Sequence, residues 1–429
     1  MKHPLSDLKP FQRDPLQFFL DKGIGAAAPL VRLNMGFSPV YLVADAELIK
    51  PIFKAPERDI DKGKLIYKLR EVIGESSMVL SGPPHKERRA AIHAQLARGV
   101  ADGYAPDICA IIRSHAGGVA LASEFDAHKF SATLAVRIIA NILFGQGVLT
   151  TNDENGLIAA LHMAEDDLAA KIFKIAPDWP WVHFRKKRQL ADAKRIMSFV
   201  VERTQKRATK RSILSALNAL DLTAKQMQEE ILLLLLAGHH TSGSAGGWLL
   251  YHLAIFPDLA DRIAAEARSV TGPDGEIDSS RLKDAKISLA TVKETLRLYP
   301  SAYWLSRETM RAMEIGGVQL KKGTSLIVSP WHIHRDPRYW PNPDEFDHNR
   351  DFSGPAFLPF GAGPRVCVGM GLGLLELQLM ALEMASAFSI DLLSPNPAGR
   401  PRPSITIVPP PIRLRLTARE RIRQVPQAA

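Results

Sequence analysis

Cysteine is nearly missing from this 429-residue chain, which holds only Cys109 and Cys367. Two thiols cannot build a disulfide scaffold or a Cys-rich zinc or iron–sulfur site, and leave at most a single bridge. Long apolar runs are missing too. The longest, Ile231 to Gly238, falls far short of the ~20 residues that cross a bilayer. The opening residues, Met-Lys-His-Pro-Leu-Ser-Asp-Leu-Lys-Pro, are polar and broken by proline, unlike a secretory signal. A cytoplasmic protein without a membrane anchor is expected. An acidic surplus is also lacking, since 55 Lys and Arg face 45 Asp and Glu for a net charge of +10, which favours anionic partners without naming them. Nucleic acid is not expected, because the basic clusters (Arg185, Lys186, Lys187 and Arg188; Lys206 and Arg207; Lys210 and Arg211) carry neither interleaved aromatics nor a recognition motif.

What is present is ordinary globular material, 46% hydrophobic and 23% charged, enough to bury a large core. The 30 prolines and 29 glycines form no linker tract, and no internal repeat is found, so one domain over 1–429 is expected. The fold class reads as mainly α with small β-sheets. A hairpin is predicted at 31–34 and 40–43, within a β-rich part near 31–45. A helical core is predicted over 84–298, broken by loops at Pro177, Pro180, Pro257 and Thr271-Gly272-Pro273. Strands are expected at 315–318 and 325–328, a Pro-rich loop region at 337–364, a helix at 368–388, and a last pair of strands within 405–416.

The most informative stretch is Phe360-Gly361-Ala362-Gly363-Pro364-Arg365-Val366-Cys367-Val368-Gly369. A lone cysteine here precedes a strongly helical segment. Backbone N–H groups, the positive end of that helix and the nearby Arg365 all favour a thiolate. Glycines leave room for a bulky flat group to approach the backbone. The residues alone leave three readings open: a buried cysteine in a turn, a thiolate ligand, or a nucleophile paired with a distant histidine. The stretch resembles the haem-ligand loop of the cytochrome P450 family, F-x-x-G-x-R-x-C-x-G, and matches it at every fixed position. The resemblance implies that Cys367 is the axial thiolate of haem b (iron protoporphyrin IX), whose electron donation favours O–O cleavage. It further implies that Phe360, Gly361 and Gly369 surround the cofactor and that Arg365 pairs with a haem propionate.

Other segments resemble the same family in order along the chain. Glu294 and Arg297 share one helical face, a spacing that elsewhere makes an ordinary surface ion pair. They match the family's E-x-x-R, and Arg350, in Phe346-Asp347-His348-Asn349-Arg350, resembles the second arginine on the same carboxylate. The family's Pro and Glu before that arginine are His348 and Asn349 here. The run from Ile231 to Ser242 resembles the helix that carries the oxygen groove. At 100° per residue Ala237 and Thr241 lie about 40° apart and His240 about 60° to one side, while His239 points away. Thr241 and His240 are therefore expected to face the cofactor beside Ala237. A bulge at Gly238 is expected to open space for oxygen and water. Where the family carries Asp or Glu before the threonine this chain has His240, an imidazole able to relay protons. His85 and Arg89, one helical turn apart, and Arg307 resemble further propionate partners.

The resemblance implies a monooxygenase that inserts one atom of O2 into a hydrophobic small molecule such as a terpenoid, steroid, fatty acid or aromatic compound. Its pocket is expected to be lined by the loop 64–78, Leu233, Ala237, Ala302, Tyr303, Trp304, Leu305, Ile407 and Val408. No flavin or iron–sulfur motif is found, so electrons are expected from a separate ferredoxin or flavodoxin and its reductase. Cations around the cysteine side of the haem are expected to steer its docking. A haem-thiolate protein that binds or senses ligands without turnover, and a haem-free Cys-dependent hydrolase, are the competing readings.

Overall fold

A computed structural model of the chain describes residues 3–119, 124–145, 149–150, 152–161, scattered positions between 184 and 202, 212–396 and 398–419. The basic clusters at 185–188, 206–207 and 210–211, and the loop residues Pro177 and Pro180, lie wholly or partly outside the described residues.

The longer helices are α1 (Gly82–Leu96), α2 (Ala105–Gly118), α3 (Ala127–Phe144), α4 (Ala224–Ile255), α5 (Pro257–Ser269), α6 (Lys286–Leu298) and α7 (Met370–Ala387). Pro83, Pro106 and Pro257 stand in the first turns of α1, α2 and α5, where a missing N–H breaks no helical bond. At the start of α4, Thr223 and Gln226 form a reciprocal capping box, which satisfies two amides that the helix leaves unpaired. Helix α4 then runs 32 residues without interruption.

The expected bulge at Gly238 is absent. A Cβ on Gly238 would lie 2.8 Å from Ile139 of α3, and one on Gly243 would lie 2.8 Å from the Cα of Ala132. Both glycines therefore serve close packing of α4 on α3 rather than local unwinding. Helix α7 is the one described helix with the length and composition of a membrane span, and most of it is buried in the core. It packs against α2, α4, α5 and α6.

Strands β1 (Leu30–Leu33) and β2 (Val40–Val43) form the predicted hairpin, with Leu30 opposite Val43 and Leu33 opposite Val40. With β3 (Ile60–Asp61), β5 (Leu305–Thr309) and β8 (Ser325–Val328) they make one sheet in the order β1-β2-β8-β5-β3. Residues 315–318, expected as one strand, are instead a turn between β6 (Met313–Ile315) and β7 (Val318–Leu320). Gly316 and Gly317 both take positive φ there, 56° and 75°, the backbone a tight two-residue hairpin requires. Near the C-terminus β12 (Arg413–Ala418) pairs on one side with β9 (Phe388–Leu392) and on the other with β4 (Glu124–Asp126), a strand inside the region read as helical. A short hairpin of β10 (Arg402–Pro403) and β11 (Ile407–Val408) lies between them.

Candidate functional site: a cysteine recess rimmed by cations

Cys367 sits between the short 3-10 turn Gly363–Arg365 and the first residue of α7. Its N–H donates to the carbonyl of Phe360 at 2.9 Å, and the loop is closed further by Val366 N–H on the Gly363 carbonyl at 3.0 Å. Gly363 has φ of 72°, and a Cβ there would strike the Phe53 carbonyl at 2.3 Å, so glycine is required at this close approach. The Cys367 residue keeps open surface, yet its sulfur is so closely surrounded that burial pushes its thiol pKa up. Both hold for a side chain at the floor of a concave recess. The Gly369 amide and the Arg89 charge work the other way and favour the thiolate.

The cation beside the sulfur is thus Arg89, whose Nη2 donates to the Val366 carbonyl at 2.6 Å. Arg365, expected to support the thiolate, is bonded elsewhere. It pairs with Glu57 and donates to the Leu80 carbonyl at 2.9 Å. It belongs to a cluster that also gathers His85, Arg307 and Lys62. Burial, then the Arg365 charge, pushes Arg307 down to about 10, Lys62 to about 8 and His85 to about 4. Arg307 is also stacked over the Phe53 ring at 3.9 Å. Lys62, which the sequence reading missed, donates to the Leu80 carbonyl and Ser81 Oγ, each at 2.6 Å. No spacing along the chain links residue 62 to residue 365. Glu57 is the carboxylate that pairs with Arg365 here, so the group carries a surplus of positive charge.

On α4, Ala237 is open to solvent although Ile231 to Leu236 before it are buried. Thr241 Oγ1 donates to the Ala237 carbonyl at 2.7 Å, and the Thr241 carbonyl accepts from Ser301 Oγ at 2.8 Å. His240 is 9% exposed, and its Nδ1 meets the Thr406 hydroxyl at 2.9 Å. The neighbouring Ser242 donates to Glu376 of α7 at 3.1 Å, and burial raises that carboxyl to about 8.

Four of the individually named pocket residues do not line open space: Tyr303, Ile407, Leu233 and Val408 are all buried, the first two at 0% exposure. A fully buried side chain offers no surface to a ligand; Tyr303 instead gives its hydroxyl to the Ser404 carbonyl at 3.3 Å. Ala302 and Trp304 remain partly open, with Trp304 edge-on to Phe11.

Glu294 and Arg297 form no surface pair. Both side chains are 0% exposed and joined by two bonds of 2.7 Å. Arg350 Nε reaches the same Glu294 oxygen at 3.2 Å, and the Asp347 amide donates to it at 2.9 Å. Arg297 also donates to the carbonyls of His334, Pro343 and Glu345. These bonds lock the loop 334–350 onto α6.

The recess and its rim fit one class of group. A thiolate-forming sulfur at the floor, an open alanine on a core helix and five basic groups at the edge suit a flat iron macrocycle carrying two carboxylates. The comparisons with known proteins agree with this chemistry. The family model described as Cytochrome P450 matches residues 11–416. The chain is 33% identical to Cytochrome P450 4V2 of Homo sapiens over 156 residues, 34% of this chain and 30% of that protein, so the match spans under a third of that relative. It is 27% identical to the cyclooctat-9-en-7-ol 5-monooxygenase of Streptomyces melanosporofaciens over 385 residues, covering 83% of this chain and 81% of that one. Its fold matches that of CYP175A1 from Thermus thermophillus with a TM-score of 0.77, over 95% of this chain and 96% of the other, at 24% identity.

Proposed function

The chain belongs to the cytochrome P450 family, whose members carry a haem iron, and from that premise we propose that it is a haem b monooxygenase acting on a hydrophobic small molecule. The observation that carries the proposal is the recess in which Cys367 Sγ meets the Gly369 amide and the Arg89 charge. Bound there, the haem iron supplies activation of O2 for insertion of one oxygen atom into a C–H bond. The residues do the rest. Cys367 would supply the sulfur that holds the iron, and Gly369 and Arg89 would favour negative charge on it. His85, Arg89, Arg307, Arg365 and the added Lys62 bind the two carboxylates, which offset the burial and the Arg365 charge that now push His85, Arg89, Arg307 and Lys62 down. Glu294, Arg297 and Arg350 hold the loop 334–350 on α6.

Thr241 Oγ1 holds a proton at the open edge of α4, bonded to the Ala237 carbonyl and able to turn toward a molecule in the groove. His240 is a second proton carrier beside it. Ala237, Ala302 and Trp304 form the open apolar wall against which the substrate packs. Cyclooctat-9-en-7-ol is the named substrate of the Streptomyces relative, which supports an apolar skeleton for this one.

One haem-enclosing domain over 1–429, free in the cytoplasm, takes its electrons from a separate ferredoxin or flavodoxin. Exposed Lys50 and Lys54 lie on the helix Ile49–Lys54, which packs against the Gly363–Arg365 turn. They offer an acidic carrier a docking surface next to the cysteine. Raising ionic strength should slow reduction by the carrier, and a rate insensitive to salt would remove this part of the proposal. The hydrolase reading is weaker, because the groups acting on the Cys367 thiol are an amide and an arginine, with no histidine among them.

A screen of apolar compounds for a substrate-induced change of iron spin state identifies ligands. Thr241→Ala should then lower product formed per electron pair consumed, while the spin-state response persists. Unchanged coupling would remove Thr241 from proton handling.

A further inference from the structure

A ring of hydrogen bonds links the groove helix to the far C-terminal hairpin. Thr406, 2% exposed, meets His240 Nδ1 at 2.9 Å. His240 adjoins Thr241, whose carbonyl accepts from Ser301 Oγ at 2.8 Å. The Ser301 carbonyl in turn accepts from the amide of Ile407 at 3.2 Å, and Ile407 adjoins Thr406. Inside this ring Ser244 of α4 donates to the Ile407 carbonyl. The Tyr303 hydroxyl donates to the Ser404 carbonyl at 3.3 Å. Three segments distant in sequence, 240–244, 301–303 and 404–407, are thereby fastened around the turn of α4 that holds Thr241.

We propose that Thr406 is a positioning residue of the oxygen groove, whose hydroxyl fixes the His240 imidazole in one orientation and one tautomer beside Thr241. A ring nitrogen has a single in-plane site for a hydrogen bond. With Nδ1 taken by Thr406, any exchange between the imidazole and the groove passes through Nε2. The β10–β11 hairpin thus governs which face of His240 the groove meets. Ser301, Ser244 and Tyr303 are bonded to backbone carbonyls, whereas Thr406 meets the imidazole itself. Pairing with Thr406 gives the histidine that replaces the family's acidic residue an orientation of its own.

The inference rests on the reading of α4 as the helix facing the bound haem, and its test separates the two. Carbon monoxide bound to the chemically reduced haem protein needs neither substrate nor redox carrier, and its C–O stretching frequency reports the polar groups beside it. Selective 15N labelling of histidine reports the His240 tautomer in the same diamagnetic complex, with His240→Phe identifying the signal. The wild type should show one His240 tautomer. Thr406→Val, which keeps the shape and removes the hydroxyl, should shift the C–O stretch and mix the tautomers. Thr406→Ser should restore both. In the His240→Phe background, Thr406→Val should add no further shift, since Thr406 acts through the histidine. Thr406→Ala gives the same reading if the valine protein does not fold. The inference is overturned if the thiolate-type carbonyl band forms in every variant while Thr406→Val or Thr406→Ala leaves frequency and tautomer unchanged. It is overturned equally if serine fails to restore them. A wild type that lacks the thiolate-type band would overturn the haem reading itself, and Thr406's role with it.

Discussion

Two basic regions of the molecule use the same side chains to opposite ends. Around Glu294 the charges close on themselves. Arg297 and Arg350 share one carboxylate, and their remaining N–H groups go to the backbone carbonyls of residues 334–345. Around Arg365 they stay open. Arg307, Lys62 and His85 are each pushed down by burial and by the Arg365 charge, and Glu57 pairs with Arg365 alone. A closed network holds loops in register, whereas an open one is completed by an anion brought from outside. The contrast separates arginines that build the fold from those that bind a cofactor, although both kinds occupy family-like positions in the sequence.

The contrast breaks first at Glu294. Glu294→Gln strands two buried guanidinium groups and should cost about 3–5 kcal/mol of folding stability, read from urea unfolding. A loss below about 1 kcal/mol would mean that the network is not closed. The open cluster should behave in reverse. Arg307→Met should change the stability of the haem-free protein by less than about 1 kcal/mol, because the cation removed is one that burial, then the Arg365 charge, disfavours. It should weaken haem retention roughly tenfold or more, the worth of a charge-assisted contact. Equal effects on both quantities would erase the distinction between the regions.

The smallest effect concerns protons. His334 receives the Leu358 amide on Nε2 and donates from Nδ1 to the Arg297 carbonyl, an arrangement only the neutral ring can make. Burial holds it down to about 3, and His252, bonded to Thr295, likewise to about 3. Folded values below the ordinary ~6.5 mean that the unfolded chain takes up protons first. Their stability is fully present above ~6.5 and is lost as pH falls from there toward about 3. Between pH 7 and 6 each should cost about 0.7 kcal/mol in unfolding measurements. His334→Gln should flatten that slope by its share, and an unchanged slope would mean that the ring is already charged in the fold.

What could be read from the chain divides along the same line as the physics. The cysteine loop, the spacing of Glu294 and Arg297, and the alternation in β1 and β2 are local, so periodicity and turn chemistry report them directly. The fate of the charges was not local. Arg89 reaches the Val366 carbonyl across 277 residues, and His240 reaches Thr406 across 166. No spacing rule covers either contact. Strand β4 escaped notice for that reason, since its partner β12 lies near the other end of the chain. Gly316 and Gly317 were hidden by the apolar residues flanking them, Ile315 and Val318, which made a turn look like a strand. Tyr303 and Ile407 were expected in the pocket from their neighbours in sequence, yet both are fully buried; only packing decides whether a side chain faces a cavity or the core.

The account turns on the sulfur of Cys367 as the ligand of a haem iron. The direct measurement is the carbon monoxide difference spectrum of the reduced, haem-loaded protein beside its Cys367→Ser variant. A thiolate-type, red-shifted Soret band in the wild type, lost in the serine variant, is the predicted result. A histidine-type band in the wild type, or a thiolate-type band that survives the substitution, would contradict it.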